Sequence, residues 1–343
     1  MSTMLAHLDP ATLTLPDSAT EWIEEMASPC LVRVPGRERD RCRALVTLLH
    51  GNEPSGLEAI HQWLRDPDRP QPVTDLALII ANVDAALTPP RFEHRQVPGE
   101  RDLNRCFRAP WQDRPGRLAR AILETLISLE PEAVLDVHNT SGSSPPFAVT
   151  TVDDSMHRSL AGLFTDHLVA TDLRLGALMD CAGELFPTLT LECGGAADPQ
   201  ARAVASRALD CLARREKLFE AQPASGAPAI YQNPVRVELA PGRPFRYGNG
   251  PGNVLTLRED IETLNLKRVN PGEELGWCPE SGPDSLVARD HRGRPVLQEL
   301  LTTRGGTLTP AQPFYVFMAT RREDIASGDC LFYAAVRRTP LES

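Results

Sequence analysis

Residues 44–65 read ALVTLLHGNEPSGLEAIHQWLR, and this stretch decides the fold. Residues 44–49 form a short apolar run, the composition of a strand buried on both faces. A polar turn, His50-Gly51-Asn52-Glu53, interrupts it. Residues 56–65 then repeat apolar side chains at a spacing near 3.6, which predicts an amphipathic helix. Strand, turn and helix in succession form the repeating unit of an α/β sheet. The same alternation continues downstream. Residues 76–83, 133–137, 147–151 and 188–193 read as buried strands, and residues 117–129, 154–169 and 199–220 as helices. Together they predict an α/β fold with a sheet covered on both faces.

Beyond residue 220 the pattern changes. Residues 222–228 (QPASGAP) read as a linker, and short runs follow at 235–239, 254–257, 285–288, 296–300, 314–318 and 331–336. Pro-Gly, Gly-Asn-Gly and Gly-Gly turns separate them, the signature of an all-β unit. With 343 residues, the chain is long enough for two domains. The expected boundaries are 1–222 for the α/β domain and 229–343 for a smaller β-rich one.

The 36 basic and 46 acidic residues give a net charge of −10, and only Lys217 and Lys267 are lysines. Such a surface is ill suited to neutralising phosphates, so nucleic acid is not an expected partner. No apolar run approaches the roughly 18 to 20 residues needed to cross a bilayer. Residues 1–10 lack the basic and apolar pattern of a secretion signal, so the cytoplasm is the default location. Eight cysteines without a C-x-x-C pair read as buried, reduced thiols. The charges between Arg33 and Arg43 read as a solvated loop and strand entry.

His50 and Glu53 leave the first buried strand at its C-terminal end, three residues apart across a turn, where both can face one point. Imidazole and carboxylate suit Zn²⁺, and a catalytic zinc site uses three protein ligands and keeps one position open. H-x-x-E alone is a common pattern. Asp136-Val137-His138-Asn139 ends another strand, and ligands in open α/β sheets gather at the carboxyl edge. His138 is thus a candidate third ligand, or else a histidine hydrogen-bonded at a strand end. Asp136 is a candidate to orient it from behind. Glu192, near the end of an apolar strand, must be paired, lie at the rim or titrate abnormally. It could therefore face a metal-activated water or form a structural ion pair, while Cys193 points to the opposite face. In the loop after residue 83, Asn104 and Arg105 could grip a carboxylate. Arg101 and Asp102 read as a surface ion-pair loop. Arg91 or Arg95 could supply positive charge to an oxyanion, and His94 could touch substrate. No H-E-x-x-H, P-loop or G-x-S-x-G motif is present. Residues 248–252 (GNGPG) read as a plain turn.

HGNE at 50–53, DLNR at 102–105, DVHN at 136–139 and TLEC at 190–193 occur in an order and spacing that resembles the succinylglutamate desuccinylase/aspartoacylase family. That family is a branch of the zinc carboxypeptidase-like hydrolases. The resemblance covers roughly residues 40–215. It implies a zinc-carboxypeptidase-like mixed sheet flanked by helices, followed by a smaller all-β domain. It also implies one zinc ion per chain held by His50, Glu53 and His138. Glu192 takes the place of the general base. Asn104 and Arg105 correspond to the clamp for the amino-acid carboxylate. The family's oxyanion-polarising arginine falls at Val97; allowing for two extra loop residues, Arg95 is the candidate. Two departures concern the acyl side of the substrate. Ala182 stands where aspartoacylase-like members carry an arginine. Tyr315 and Tyr333 do not align with that subgroup's substrate-binding tyrosine.

The expected activity is therefore zinc-dependent hydrolysis of an N-acyl amino acid. The alternatives are a zinc carboxypeptidase acting on small peptides and a non-catalytic metal- or metabolite-binding homologue. The expected partner is a small N-acyl amino acid, with neither nucleic acid nor membrane; a homo-oligomer is compatible with such a chain. The family's architecture implies that loops of the β domain narrow the active-site mouth.

Overall fold

A computed structural model describes residues 4–219, 227–279 and 283–338. Five residues of the expected linker, 222–226, and the last residue of the helix expected over 199–220 lie outside the described residues. The chain divides into two compact units. One comprises Met1–Asn139, Pro146–Leu168 and Leu173–Pro228; the other comprises Thr140–Pro145, Val169–Asp172 and Ala229–Ser343.

The first unit contains β1 (Ala6–Leu8), α1 (Ala19–Met26), β2 (Cys30–Val34), β3 (Glu38–Thr47), α2 (Ser55–Arg65), β4 (Thr74–Ile80), α3 (Val83–Leu87) and α4 (Arg114–Leu129). It continues through β5 (Val134–Thr140), β6 (Phe147–Thr150), α5 (Ser155–Ala161), β7 (His167–Ala170), α6 (Leu178–Ala182), β8 (Thr188–Gly195) and α7 (Pro199–Arg214), with Thr140 of β5 and Val169 and Ala170 of β7 grouping with the second unit. The sheet runs β1-β2-β4-β3-β5-β8-β6. β3 is parallel to β4 and β5, whereas β2 is antiparallel to β4 and β6 to β8, so the sheet is mixed.

Alternation along the strands explains the two covering layers. Leu76, Leu78 and Ile80 join Leu57, Ile60 and Leu209 of α2 and α7 in one core. Ala77 and Ile79 join Leu118, Ile122 and Leu178 of α4 and α6 in the other. Gly56 brings α2 against β3: a Cβ there would come within 2.1 Å of Thr47 Oγ1. Asp113 caps α4 by accepting the Gly116 amide, and Pro115 sits in its first turn.

The helix expected over 154–169 ends at Ala161, and β7 begins at His167. Leu163 and Phe164 close tight turns onto Leu160 and Ala161, and Thr165 Oγ1 bonds the Pro146 carbonyl, so the backbone leaves the helical path there. The charged stretch 33–43 is also not simply solvated. Arg43 is fully buried, bonding Glu132 and the carbonyls of Leu212 and Arg215 at the end of α7. Asp75 is fully buried as well, paired with Arg33 and Arg39. All eight cysteines are free thiols, seven of them buried.

The second unit contains β9 (Ala229–Leu239), β10 (Phe245–Gly248), β11 (Leu255–Arg258), β12 (Arg268–Val269), β13 (Gly276–Trp277) and β14 (Leu286–Arg289). It continues with α8 (Leu297–Leu300), β15 (Leu301–Arg304), β16 (Thr307–Pro310), β17 (Phe314–Phe317), α9 (Glu323–Gly328) and β18 (Phe332–Arg337). Its strands form the orders β14-β9-β18-β17-β12 and β10-β11-β13-β16-β15, around a core that includes Val237, Leu257, Leu308 and Phe332. The run 296–300, expected as a strand, is one turn of helix because the Glu299 and Leu300 amides both return to the Val296 carbonyl. Gly248 ends β10, and the chain bends at Asn249 and Gly250 directly after it.

Candidate metal and hydrolytic site

The register of β3 against β5 sets Thr47 opposite Val137. The chain therefore leaves both strands at the same edge, and the HGNE turn meets His138. Glu53 stands between the two histidines. Its Oε1 is 2.9 Å from His50 Nδ1 and its Oε2 is 2.7 Å from His138 Nδ1. Each imidazole turns its other nitrogen to a second carboxylate: His50 Nε2 lies 3.1 Å from Asp102 Oδ1, and His138 Nε2 lies 2.9 Å from Asp136 Oδ2. A carboxylate behind each Nε2 favours a proton there, so the Nδ1 atoms are the ones a metal would take once the protons they share with Glu53 are displaced. Ligand atoms of His50, Glu53 and His138 all lie within 4.8 Å of one another, and the three residues are buried.

The surroundings hold Glu53 rigidly. The Asn139 amide also donates to its Oε2 at 3.2 Å. The Asn139 side chain accepts the Ser55 amide at 3.2 Å and donates to Ser55 Oγ and to the Gly194 carbonyl, joining the start of α2 to the end of β8.

Burial works against the charge of Glu53, but the His50 and His138 imidazoles outweigh it and hold the carboxyl below its usual range. Burial likewise opposes charge on His138, yet Asp136 and Glu53 raise its proton affinity well above that of an ordinary histidine. Asp102 is held low, against burial, by His50, Arg95 and Arg105. Two imidazoles ringed by three carboxylates form a site that accommodates positive charge. Its nitrogen and oxygen donors fit zinc.

Glu192 ends the same rim. Burial pushes its carboxyl up to about 7, and Oε2 is buried without a hydrogen-bond partner. Among the described residues no basic side chain forms an ion pair with it, in contrast to the alternative of a structural ion pair. β6 lies alongside, with Phe147 opposite Glu192. Cys193 is core, and burial pushes its thiol above the usual range.

The DLNR residues form a short 3₁₀ turn, Leu103–Arg105. Asn104 Oδ1 accepts the Leu178 amide at 2.9 Å, and its Nδ2 lies 3.4 Å from His138 Nε2. With the His138 Nε2 proton donated to Asp136, that amide keeps its hydrogens for another acceptor. Arg105 donates to the Asn104 carbonyl at 2.7 Å and has no carboxylate partner among the described residues. Arg95 reaches the site: it pairs with Asp102 Oδ2 at 3.0 Å, and its Nη1 is 3.8 Å from Glu53 Oε1. Arg91 instead pairs with Glu24 of α1, and His94 bonds the Pro89 carbonyl.

Asp102 departs from the expectation of a surface ion-pair loop. It bonds His50, Arg95 and the Asn104 amide. Its neighbour Arg101 does pair on the surface, with Asp113 at 2.6 Å. The signal for Asp102 lay in its position two residues before Asn104, where a carboxylate can cap the turn.

Residues 43–209 match the family described as the succinylglutamate desuccinylase/aspartoacylase catalytic domain. This part of the chain belongs to that family. No curated protein sequence matches the chain. Among solved structures, succinylglutamate desuccinylase/aspartoacylase from Rhodobacter sphaeroides is 15% identical with a TM-score of 0.60, over 90% of this chain and 88% of that one. Murine aminoacylase 3 is 18% identical with a TM-score of 0.55, over 88% and 97%. The ectoine utilization protein EutE (DoeB) from Ruegeria pomeroyi is 16% identical with a TM-score of 0.57, over 89% and 87%. At such identities the likeness is one of fold. The matched segment is a catalytic domain of the desuccinylase/aspartoacylase type.

Within the desuccinylase/aspartoacylase framework, Ala182 is fully buried in the apolar core that also includes Leu103, Cys106 and Phe107, so that position carries apolar packing instead of a cation. Tyr315 packs edge-on against Tyr231 at 4.9 Å, and Tyr333 lies on β18. No helix among the described residues is long and apolar enough to cross a membrane.

Proposed function

We propose that this chain hydrolyses the amide bond of a small N-acyl amino acid, with one zinc ion per chain held by His50, Glu53 and His138. The observation that carries this reading is the convergence of both histidine Nδ1 atoms on the two oxygens of Glu53, with a carboxylate behind each ring. Zinc, when bound, supplies Lewis acidity that makes water a competent nucleophile near neutral pH.

The chain's own residues do the remaining work. Glu192 is the base: its carboxylate takes a proton from the attacking water and returns it to the amine nitrogen as the C–N bond breaks. Its raised proton affinity suits both transfers. Arg95 offsets the negative charge that develops on the carbonyl oxygen. Arg105 receives the amino-acid carboxylate on its guanidinium, and Asn104 adds an amide donor. Asp102 holds both His50 and Arg95, so ligand and cation are oriented by one side chain. The products are a free amino acid and a carboxylic acid.

The test is a screen of zinc-loaded protein against N-acetyl, N-succinyl and longer N-acyl amino acids, with short peptides in the same assay. Turnover of at least one acyl amino acid, above any peptide, is expected. Preference for peptides would make the protein a carboxypeptidase. Zinc binding without turnover of either class would make it a non-catalytic homologue.

A further inference from the structure

The segment Thr140–Pro145 groups with the second unit, whereas the chain through Asn139 and from Pro146 groups with the first. It links two sensitive points of the candidate site. His138 lies two residues before its start. Phe147, the residue opposite Glu192 on β6, lies two residues after its end. The same piece of backbone thus runs from a ligand candidate to the neighbour of the candidate base.

This connection contains Ser141, Gly142, Ser143 and Ser144 before Pro145, and its glycine and serines leave the chain many conformations. Its order comes from the second unit, which grips it at the centre. Glu262 accepts the Ser143 amide on Oε2 at 3.1 Å and the Arg321 amide on Oε1 at 2.6 Å. Asn265, 2% exposed, donates to the carbonyls of Ser143 at 2.8 Å and Ala319 at 2.9 Å, and accepts the Ala319 amide at 2.8 Å. Side chains therefore satisfy both the amide and the carbonyl of Ser143. Thr320 Oγ1 adds a bond to the Ser141 carbonyl at 3.1 Å. The fit leaves no room at Gly142, where a Cβ would come within 2.6 Å of Glu262 Oε1 and 2.7 Å of the Ala319 carbonyl oxygen.

We infer that Glu262 and Asn265 are positioning residues for the metal site, acting through segment 140–145 to keep His138 and Glu192 in register. This inference rests on the reading of His50, Glu53 and His138 as metal ligands. The competing explanation is that the two side chains only complete the fold of the second unit. In that case their loss would act on the site solely through general stability.

Zinc release from the full-length, zinc-loaded protein to a chelator separates the two explanations. Residues behind a metal ligand typically change metal affinity or activity by about 10- to 100-fold. Asn265→Ala is expected to release zinc at least about tenfold faster than the wild type, and its cobalt-substituted form to show an altered visible spectrum. Leu308→Ala, a cavity in the core of the second unit away from the segment, is expected to lower the unfolding midpoint yet release zinc at the wild-type rate. Should Asn265→Ala not fold, Glu262→Gln tests the same tie, because one of its two accepting oxygens becomes a donor facing an N–H; it too should release zinc faster. Wild-type release from the folded variants, or equal acceleration in Leu308→Ala, overturns the inference. A wild-type protein that takes up no zinc contradicts the metal reading itself.

Discussion

Two carboxylates of one rim differ in what surrounds them. Glu53 lies between two imidazoles and stays ionised, whereas burial holds Glu192 at about 7 with one oxygen unpartnered. Environments that push two acids apart in this way mark different tasks, which the proposed mechanism assigns as ligand and base. Glu192→Gln should therefore keep its zinc content while turnover falls by about 10² to 10⁴; full activity would remove Glu192 from the mechanism. Asp136→Asn keeps the shape but weakens the acceptor for the His138 Nε2 proton, so zinc affinity or activity should fall about 10- to 100-fold in a competition titration. Unchanged affinity would show that the ring needs no such support. At this scale the ligand candidates were legible because each follows an apolar run at a strand end. Asp102 was not legible: its partner His50 is distant in sequence, and Arg101 beside it behaves as the surface pair that the local charges suggest.

Helix α2 carries the HGNE turn into place, and its first residues define how closely. A side chain at Gly56 would collide with Thr47, so Gly56→Ala must move the helix start, where the Ser55 amide is bonded to Asn139. Overpacking of this kind costs roughly 1–3 kcal/mol, and chemical denaturation should show a loss in that range together with weaker zinc binding; unchanged values would mean that the start of the helix yields freely. Further along α2, His61 is buried against Trp22 of α1 and bonds the Pro16 carbonyl. Burial lowers its proton affinity, Arg65 adds to this, and the Pro16 bond, Asp17 and Glu21 oppose it. The unfolded chain takes up that proton near its ordinary pKa of about 6.5 while the folded chain resists, so stability falls as pH drops below that value. His61→Leu should flatten the decline between pH 7 and 5.5, and an identical decline in wild type and variant would contradict it. The central strands were readable because alternate residues serve two cores. α1 escaped notice although Ser18 and Glu21 form a capping box that the sequence displays. β7 was absorbed into a helix because a four-residue strand behind α5 leaves too short a pattern to set a period.

The whole chain carries 46 acidic and 36 basic side chains, and two of its buried acids, Glu53 and Asp136, lie against His138. A dication held there binds the folded chain in preference to the unfolded one, so its removal must lower stability. At a free zinc level of 1,000 times Kd the contribution is about 4.1 kcal/mol. A chelator should therefore depress the unfolding midpoint, and added zinc should restore it; a midpoint indifferent to both would speak against a resident metal. The change to short strands beyond residue 228 was visible in the sequence through its turns, but β12 and β13 have two residues each, too few to produce an apolar run. The most direct test is crystallographic: an anomalous difference map collected at the zinc edge from zinc-loaded crystals. The account predicts one peak per chain, about 2.0–2.1 Å from Nδ1 of both His50 and His138 and about 2.0–2.2 Å from a Glu53 oxygen. A peak bound elsewhere, or none at these residues, would contradict it.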